Sequence, residues 1–308
     1  MNFKQFEENL FHGLWFVDKN LAKIYNKHME NMILERETET LENQIGFDFL
    51  DEKIESETLV KKDAIEWDAS KTLVLILDDK MTNSNFYLCG KKMIDWVRLA
   101  TSGCEQKIVP FEGDEDILSL AKPYAEKEEC DYVAVFYSDT PLLQKATFLE
   151  IMNKFCANGM NFMKLSRGYV FQSEFLKNSK MLLSANTEEF GENDFFVVDD
   201  AQKISLAFKV LNGRILSYHK ENGVVLFGED TIFIDADVEI EGGTVIYPNN
   251  TIKGQSYIGN GVILESGNYI IDSIVLDGAF VCQSYIENAK VGQEKTVGPF
   301  ARIIKGTV

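Results

Sequence analysis

Histidine is scarce in this 308-residue sequence, which has only His12, His28 and His219. They lie far apart and none stands beside an evident nucleophile, so a Ser-His-Asp triad or a histidine-rich metal site has little to build on. Cysteine is scarce too. Cys89, Cys104, Cys130, Cys156 and Cys282 are odd in number and scattered, without the C-x-x-C spacing of a zinc or redox pair, and most read as buried thiols. No run approaches the roughly 20 apolar residues that span a bilayer. The opening MNFKQFEENLF lacks the basic and apolar regions of a signal peptide, so the expectation is a cytoplasmic protein. Basic residues are outnumbered, 31 against 49 acidic, for a formal charge of −18. That charge repels polyphosphates and anionic membrane surfaces, so neither nucleic acid nor membrane is an expected partner.

With 45% hydrophobic and 26% charged residues, the composition is that of an ordinary globular protein. The length suits about two domains of roughly 150 residues. The strongest pattern lies in the C-terminal part, where an aliphatic residue recurs every sixth position: Ile234, Ile240, Ile246, Ile252, Ile258, Leu264 and Ile270. It continues in steps of five or six through Val275, Val281, Ile286, Val291, Val297 and Ile303. Neither the 3.6 period of a helix nor the 2 period of a strand produces this. A hexapeptide repeat does: three short strands close one triangular coil, and each aliphatic residue points inward onto its counterpart a coil away. Thirteen such positions give about four coils. Val238, Thr244, Ser256 and Val262 supply small residues between them, and Gly254, Gly259, Gly261 and Gly267 suit the turns.

Upstream, TLVLILD (Thr72 to Asp78) and DYVAVFYSD (Asp131 to Asp139) read as buried parallel strands. Helical spacing follows in KKMIDWVRLA (Lys91 to Ala100), DILSLAKPYAEK (Asp116 to Lys127) and PLLQKATFLEIMNKF, the last with Pro141 at a first helical position. The order implies an α/β sheet. Residues 1–70 are acidic and helix-prone, with apolar spacing through Phe6, Leu10, Leu14 and Leu21. The expected organisation is therefore an acidic helical region over 1–70, an α/β domain over 71–200, a linker helix over 201–229 and a β-helix over 230–308.

Taken in that order, these residues resemble the bifunctional N-acetylglucosamine-1-phosphate uridyltransferase/glucosamine-1-phosphate N-acetyltransferase family. TIFIDADVEIEGGTVIYPNNTIKGQSYIGNGVIL (Thr231 to Leu264) is similar to that family's entry into its left-handed β-helix, and VGPFAR (Val297 to Arg302) to a motif further along it. The tail carries the match, over about a quarter of the chain. VFYSDTPLL (Val135 to Leu143) is similar to the family's strand and loop containing G-D-x-P-L, and GKKM (Gly90 to Met93) to its G-K-P-M. The resemblance implies a nucleotidyltransferase-like α/β domain followed by a short left-handed parallel β-helix. In such enzymes a sugar 1-phosphate attacks the α-phosphorus of a nucleoside triphosphate with the help of Mg²⁺ and cationic side chains. Carried over residue by residue, Asp139 matches a metal-binding aspartate, and Asp199 stands where the family has a metal-binding asparagine. Lys91 and the glycine of KLSRG, Gly168, fall in substrate-binding segments, and no residue is assigned a catalytic role. Asp139 and Asp199 also read as helix-capping carboxylates.

The departures are informative. Where the family has L-x-x-G-x-G-T-R-M-x-x-x-x-P-K, this chain runs LILDDKMTNSNFYLCGKK, without either glycine, the arginine or the lysine. Asp78 and Asp79 there would repel a triphosphate by several kcal/mol at an effective dielectric of about 20, and Lys80, Lys91 and Lys92 are the nearby cations. Three readings follow: a sugar nucleotidyltransferase resembling a UDP-N-acetylglucosamine pyrophosphorylase with a degenerate active site, a non-catalytic nucleotide-sugar-binding or scaffold protein, and a hexapeptide acyltransferase. The last usually needs a catalytic histidine, and none occurs from Thr231 onward. The later coils that carry acetyl transfer in the family have no counterpart here, so acetyltransferase activity is not expected. A homotrimer is expected from the flat faces of the coils, with Tyr247, Tyr257, Tyr269, Phe280, Tyr285 and Phe300 as candidate surface residues.

Overall fold

Alternating burial along the first apolar run fixes the centre of the fold. In β1 (Thr72–Asp79), Leu73, Leu75 and Leu77 face one way and Val74 and Ile76 the other, and all are buried. The computed structural model describes residues 67–79, 85–113, 115–180, 186–191 and 193–308. The helical reading of residues 1–66 and the position of Lys80 lie outside the described residues. After β1 come β2 (Tyr87–Leu88), β3 (Lys91–Lys92), α1 (Met93–Ala100), β4 (Glu105–Phe111), α2 (Ile117–Lys127), β5 (Tyr132–Tyr137) and α3 (Lys145–Ala157). Then follow β6 (Phe162–Leu165), β7 (Gly168–Gln172), α4 (Ser173–Asn178), β8 (Thr187–Glu188) and the long linker helix α5 (Ala201–Glu221).

The main sheet has the order β4-β1-β5-β7-β6-β8, with β1 parallel to both neighbours and β7 antiparallel. One face packs on α1 and α3 through Ile94, Val97, Phe148 and Ile151; the other packs on α2 and α4 through Leu118, Ala121 and Leu176. The chain thus leaves β1 towards β4 on one face and returns to β5 on the other. In such sheets the carboxyl ends of the strands flanking this reversal form a ready crevice for ligands. Here those ends carry Asp78, Ser138 and Asp139.

Two helix starts are capped by carboxylates that the sequence reading did not single out: Asp116 accepts from the Ser119 amide at 3.1 Å, and Asp200 from the Lys203 amide at 2.8 Å. Lys91 and Lys92 are not helical but pair with Tyr87 and Leu88 in a two-stranded hairpin. The third helix begins at Lys145, not at Pro141, which lies in a turn. Its first turn is satisfied from a distance: the carboxylate of Asp194 accepts from the Gln144 amide at 3.2 Å and from the Thr147 hydroxyl. Arg214 of α5 binds the same carboxylate at 3.3 Å and the Leu142 carbonyl at 2.7 Å. Asn212, two residues earlier, donates to the Ile232 carbonyl and accepts from the Ile234 amide. Both bonds are buried, and so α5 is fastened to the sheet on one side and to the first coil on the other.

The thirteen aliphatic positions stack as three parallel ladders. Ile234, Ile252, Ile270, Ile286 and Ile303 form one; Ile240, Ile258, Val275 and Val291 the second; Ile246, Leu264, Val281 and Val297 the third. All are buried except Ile303, which packs at the end of the same core. Each contributes about 1.5–3 kcal/mol by leaving water. The third ladder reaches back to Leu226, which pairs with Ile246, so the coil pattern starts before the first residue of the six-residue series. Gly254 and Gly261 adopt φ of +66° and +64°, as a turn glycine should, whereas Gly259 is needed for space: a Cβ there would lie 2.2 Å from the Asp277 carboxylate. The fold is thus an α/β domain followed by a parallel β-helix.

His219, near the end of α5, is 2% exposed and its Nδ1 has no hydrogen-bond partner among the described residues. Burial holds the imidazole below its ordinary pKa of 6.5. The unfolded chain therefore binds a proton that the folded chain refuses once the pH falls below about 6.5, and stability drops there until the folded value is passed. Replacing His219 with Gln is expected to flatten this decline. Urea midpoints for both proteins at about pH 7.5 and 5.5 check it, and an equal loss in the two would contradict it.

Candidate functional site

At the carboxyl edge of the sheet, the chain beyond β5 turns sharply at Ser138. Its amide donates to the Leu77 carbonyl at 2.9 Å, and its hydroxyl to the Asp78 carboxylate at 3.3 Å. The next residue, Asp139, is 1% exposed. Its backbone carbonyl accepts from the Val198 amide at 2.8 Å, which brings Asp199 alongside although 60 residues separate the two in sequence. The two candidate metal residues therefore lie on neighbouring backbone segments, the Asp139 side chain buried and that of Asp199 half exposed. Neither acts as a helix cap: Gln144 and Asp200 occupy those positions.

A third residue joins them. The turn between β6 and β7 carries Arg167 onto Asp139, with Nη2 donating to Oδ2 at 2.6 Å and Nε to Oδ1 at 3.3 Å. The guanidinium lies flat against Tyr137, its central carbon 3.9 Å from the ring centroid. Asp199 in turn accepts from Lys203, one helical turn on, at 2.6 Å. The Lys203 ammonium above all, with Arg167 contributing, holds the Asp199 carboxyl below its ordinary pKa. Tyr137 is raised, by burial first, and Arg167 works against that rise.

This geometry does not fit a divalent cation. Magnesium needs carboxylate oxygens at about 2.0–2.1 Å in a near-octahedral shell. Both oxygens of Asp139 are bound to one guanidinium, and Asp199 has its own ammonium. Among the described residues, no group of three or more His, Cys, Asp or Glu is placed to hold a metal. The charge such enzymes draw from an ion is present here on side chains.

Gly168 sits beside Arg167 at the start of β7, with φ +149°. A Cβ there would come within 2.6 Å of the Val135 carbonyl, so the glycine is what lets β7 lie against β5 and Arg167 reach the site. Lys91 lies elsewhere: its ammonium is 2.5 Å from Asp237 of the first coil, next to a backbone bond from Ala236 to the Cys89 carbonyl. A cavity of about 530 Å³ is lined by Ser166, the residue before Arg167, and by Phe190, Asn193, Phe195 and Phe196 among others. Arg167 and Lys203 are the functional residues that sequence reasoning missed. Lys203 had a usable signal, four residues after Asp199 on a helix. Arg167 is 28 positions from its partner, and only the arginine inside KLSRG marked it.

All five cysteines are free thiols; Cys89 and Cys156 are buried and the others half-buried. No helix among the described residues is long and apolar enough to cross a membrane.

No family model matches the chain. Among curated proteins it is similar to the bifunctional protein GlmU of Streptococcus agalactiae, 40% identical over 110 residues, which is 36% of this chain and 24% of that protein. It is likewise similar to the bifunctional protein GlmU of Clostridium acetobutylicum (44% over 95 residues, 31% and 21% of the two chains) and of Clostridium beijerinckii (37% over 128 residues, 42% and 28%). The chain is GlmU-like over about a third of its length, and the match spans about a quarter of these relatives.

Proposed function

We propose that this chain is a cytoplasmic protein of the sugar-nucleotidyltransferase kind that binds a nucleotide sugar such as UDP-N-acetylglucosamine at the carboxyl edge of its sheet, without turning it over. The similarity to GlmU supports the lineage. The observation that supports the site is the backbone bond from Val198 to Asp139, which sets the segment of Asp199 beside the carboxyl end of β5, where the strand order reverses. The cavity at Ser166, with its phenylalanines and Asn193, has room for an aromatic base or a sugar ring. Two features weigh against turnover. Phosphoryl-group chemistry depends on cations and backbone amides around the phosphates, whereas β1 ends on carboxylates and the glycine-rich segment has no equivalent. Both oxygens of Asp139 are moreover bound by the Arg167 guanidinium.

Calorimetry with UTP and UDP-N-acetylglucosamine, on the wild type and on Asp139→Asn, tests this reading. Binding of the nucleotide sugar is expected in the micromolar range, weakened about tenfold in the variant. No pyrophosphate is expected from UTP and a sugar 1-phosphate. Absence of heat up to millimolar ligand removes the binding reading. Pyrophosphate release that disappears in Asp139→Asn would establish an enzyme instead.

The outer surface of the coils supports an assembly role beside binding. Tyr269 and Tyr285 stack 5.7 Å apart with their planes 3° from parallel, flanked by Lys253 and Arg302. Phe300 is 83% exposed, while Tyr247, Tyr257 and Phe280 are half-buried. A homotrimer formed along these faces is the assembly proposed, and a monomeric mass by light scattering at micromolar concentration would contradict it.

A further inference from the structure

A divalent ion and an arginine solve the same problem in different ways: each neutralises carboxylates and presents positive charge to a phosphate. Three observations show which solution this site has adopted. First, Arg167 takes both oxygens of Asp139, at 2.6 and 3.3 Å, so an ion could reach that carboxylate only after the guanidinium had left. Second, the guanidinium is held on its flat side as well, 3.9 Å from the Tyr137 ring, and is carried on a tight turn between paired strands rather than on a long loop. Third, Asp199 is already matched by Lys203 at 2.6 Å, leaving neither carboxylate without a cation. The Arg167 side chain nevertheless keeps about a third of its surface open, against 2% for Asp139. A guanidinium has five N–H donors in a planar fork, so one edge can hold a carboxylate while another meets a phosphate.

We infer that Arg167 is a built-in replacement for the divalent cation, and that it is the group that engages the diphosphate of the nucleotide sugar, so that binding is independent of metal. The ligand part of this inference rests on the reading above; the absence of a divalent-ion site does not. Arg167 would then set both the strength of binding and its selectivity for the phosphorylated ligand over the free sugar. Lysine at this position would keep the charge but lose the fork and the stacking on Tyr137.

Two independent measurements decide the matter. In the first, Mn²⁺ is titrated into the nucleotide-free wild type and followed by electron paramagnetic resonance. The signal of the free aqueous ion is expected to persist undiminished into the millimolar range. Micromolar binding that is lost in Asp139→Asn would overturn the inference, and this arm needs no altered arginine. In the second, UDP-N-acetylglucosamine affinity is compared in excess EDTA and in excess Mg²⁺. The two values are expected to agree within about twofold, with Arg167→Lys weakening binding about tenfold and Arg167→Met abolishing it. Circular dichroism identifies any variant that fails to fold, and Arg167→Lys remains informative if Arg167→Met does. Tighter binding with Mg²⁺ by tenfold or more would also overturn the inference. If the nucleotide sugar fails to bind under both conditions, the binding reading falls and with it the role of Arg167 towards the diphosphate. The manganese titration then still decides whether the arginine has displaced the metal.

Discussion

Arg167→Met is expected to lower the stability of the α/β domain by about 3–5 kcal/mol, the usual cost of leaving one member of a buried ion pair without the other. The argument turns on Asp139 rather than on the arginine. Asp139 is 1% exposed, while the Arg167 side chain is 31% exposed, so deleting the arginine strands a charge that water cannot reach. Asp139→Leu is expected to be milder, because the arginine left behind is 31% exposed and water can reach it. The double variant, with methionine and leucine packed against Tyr137, should recover most of the loss, since well-packed apolar replacements of buried ion pairs are often neutral or better. Urea denaturation of the four proteins, treated as a double-mutant cycle, gives the coupling directly. A single Arg167→Met loss below about 1 kcal/mol would mean that the pair behaves as a surface salt bridge.

Asn268→Ala is the second large effect, expected at about 3–5 kcal/mol, and it acts in the other half of the molecule. Asn268 is 2% exposed and fills a corner of the coils. Its amide group donates to the carbonyls of Glu265 and Val281 and to Asn250, one coil earlier; its oxygen accepts from the Ser284 amide, one coil later. Truncation orphans the buried Ser284 amide, at about 1–3 kcal/mol, and removes one of two bonds from the oxygens of Glu265, Val281 and Asn250, which keep the Asn250 side chain, the Glu265 amide and the Asn268 amide respectively, at about 0.5–1.5 kcal/mol each. Asn250 binds the carbonyls of Tyr247 and Glu265 in the same manner, so the two asparagines form a short ladder at a fixed 18-residue separation. Thermal or urea melts monitored at the β-helix check the prediction; a loss under about 1 kcal/mol would show that the corner tolerates open backbone groups.

How much of this was readable beforehand follows from how local each signal is. The coils were legible because their physics repeats: every inward aliphatic residue obeys the same constraint, so the pattern in sequence is the pattern in space. The capping reading of Asp199 missed by one residue, since Asp200 takes that place with the amide three residues on. The start of α3 was misread because Pro141 offers a local signal while the first-turn donors are satisfied by Asp194, 50 residues away. The candidate site divides along the same line. Asp139 and Asp199 were found through the motifs that contain them, and their segments are neighbours in the fold. The cation on Asp139 was missed, because Arg167 is brought in by strand pairing, and no spacing rule connects a hairpin turn to the end of another strand.

The hairpin of β2 and β3 has a consequence for how the chain acquires its shape. Lys91 and Asp237 are 146 residues apart, and the neighbouring bond from Ala236 to the Cys89 carbonyl closes a loop of the same size. Closure of so long a loop is opposed by chain entropy and comes after local contacts have formed. During synthesis the strands up to β7 can pair while the first coil is still inside the ribosome, but the hairpin that follows β1 must wait for residue 237 before it can dock. The expected last step of folding is a seam closing between an early-formed sheet and a late-formed coil, and substitutions along that seam should speed unfolding while leaving the folding rate nearly unchanged.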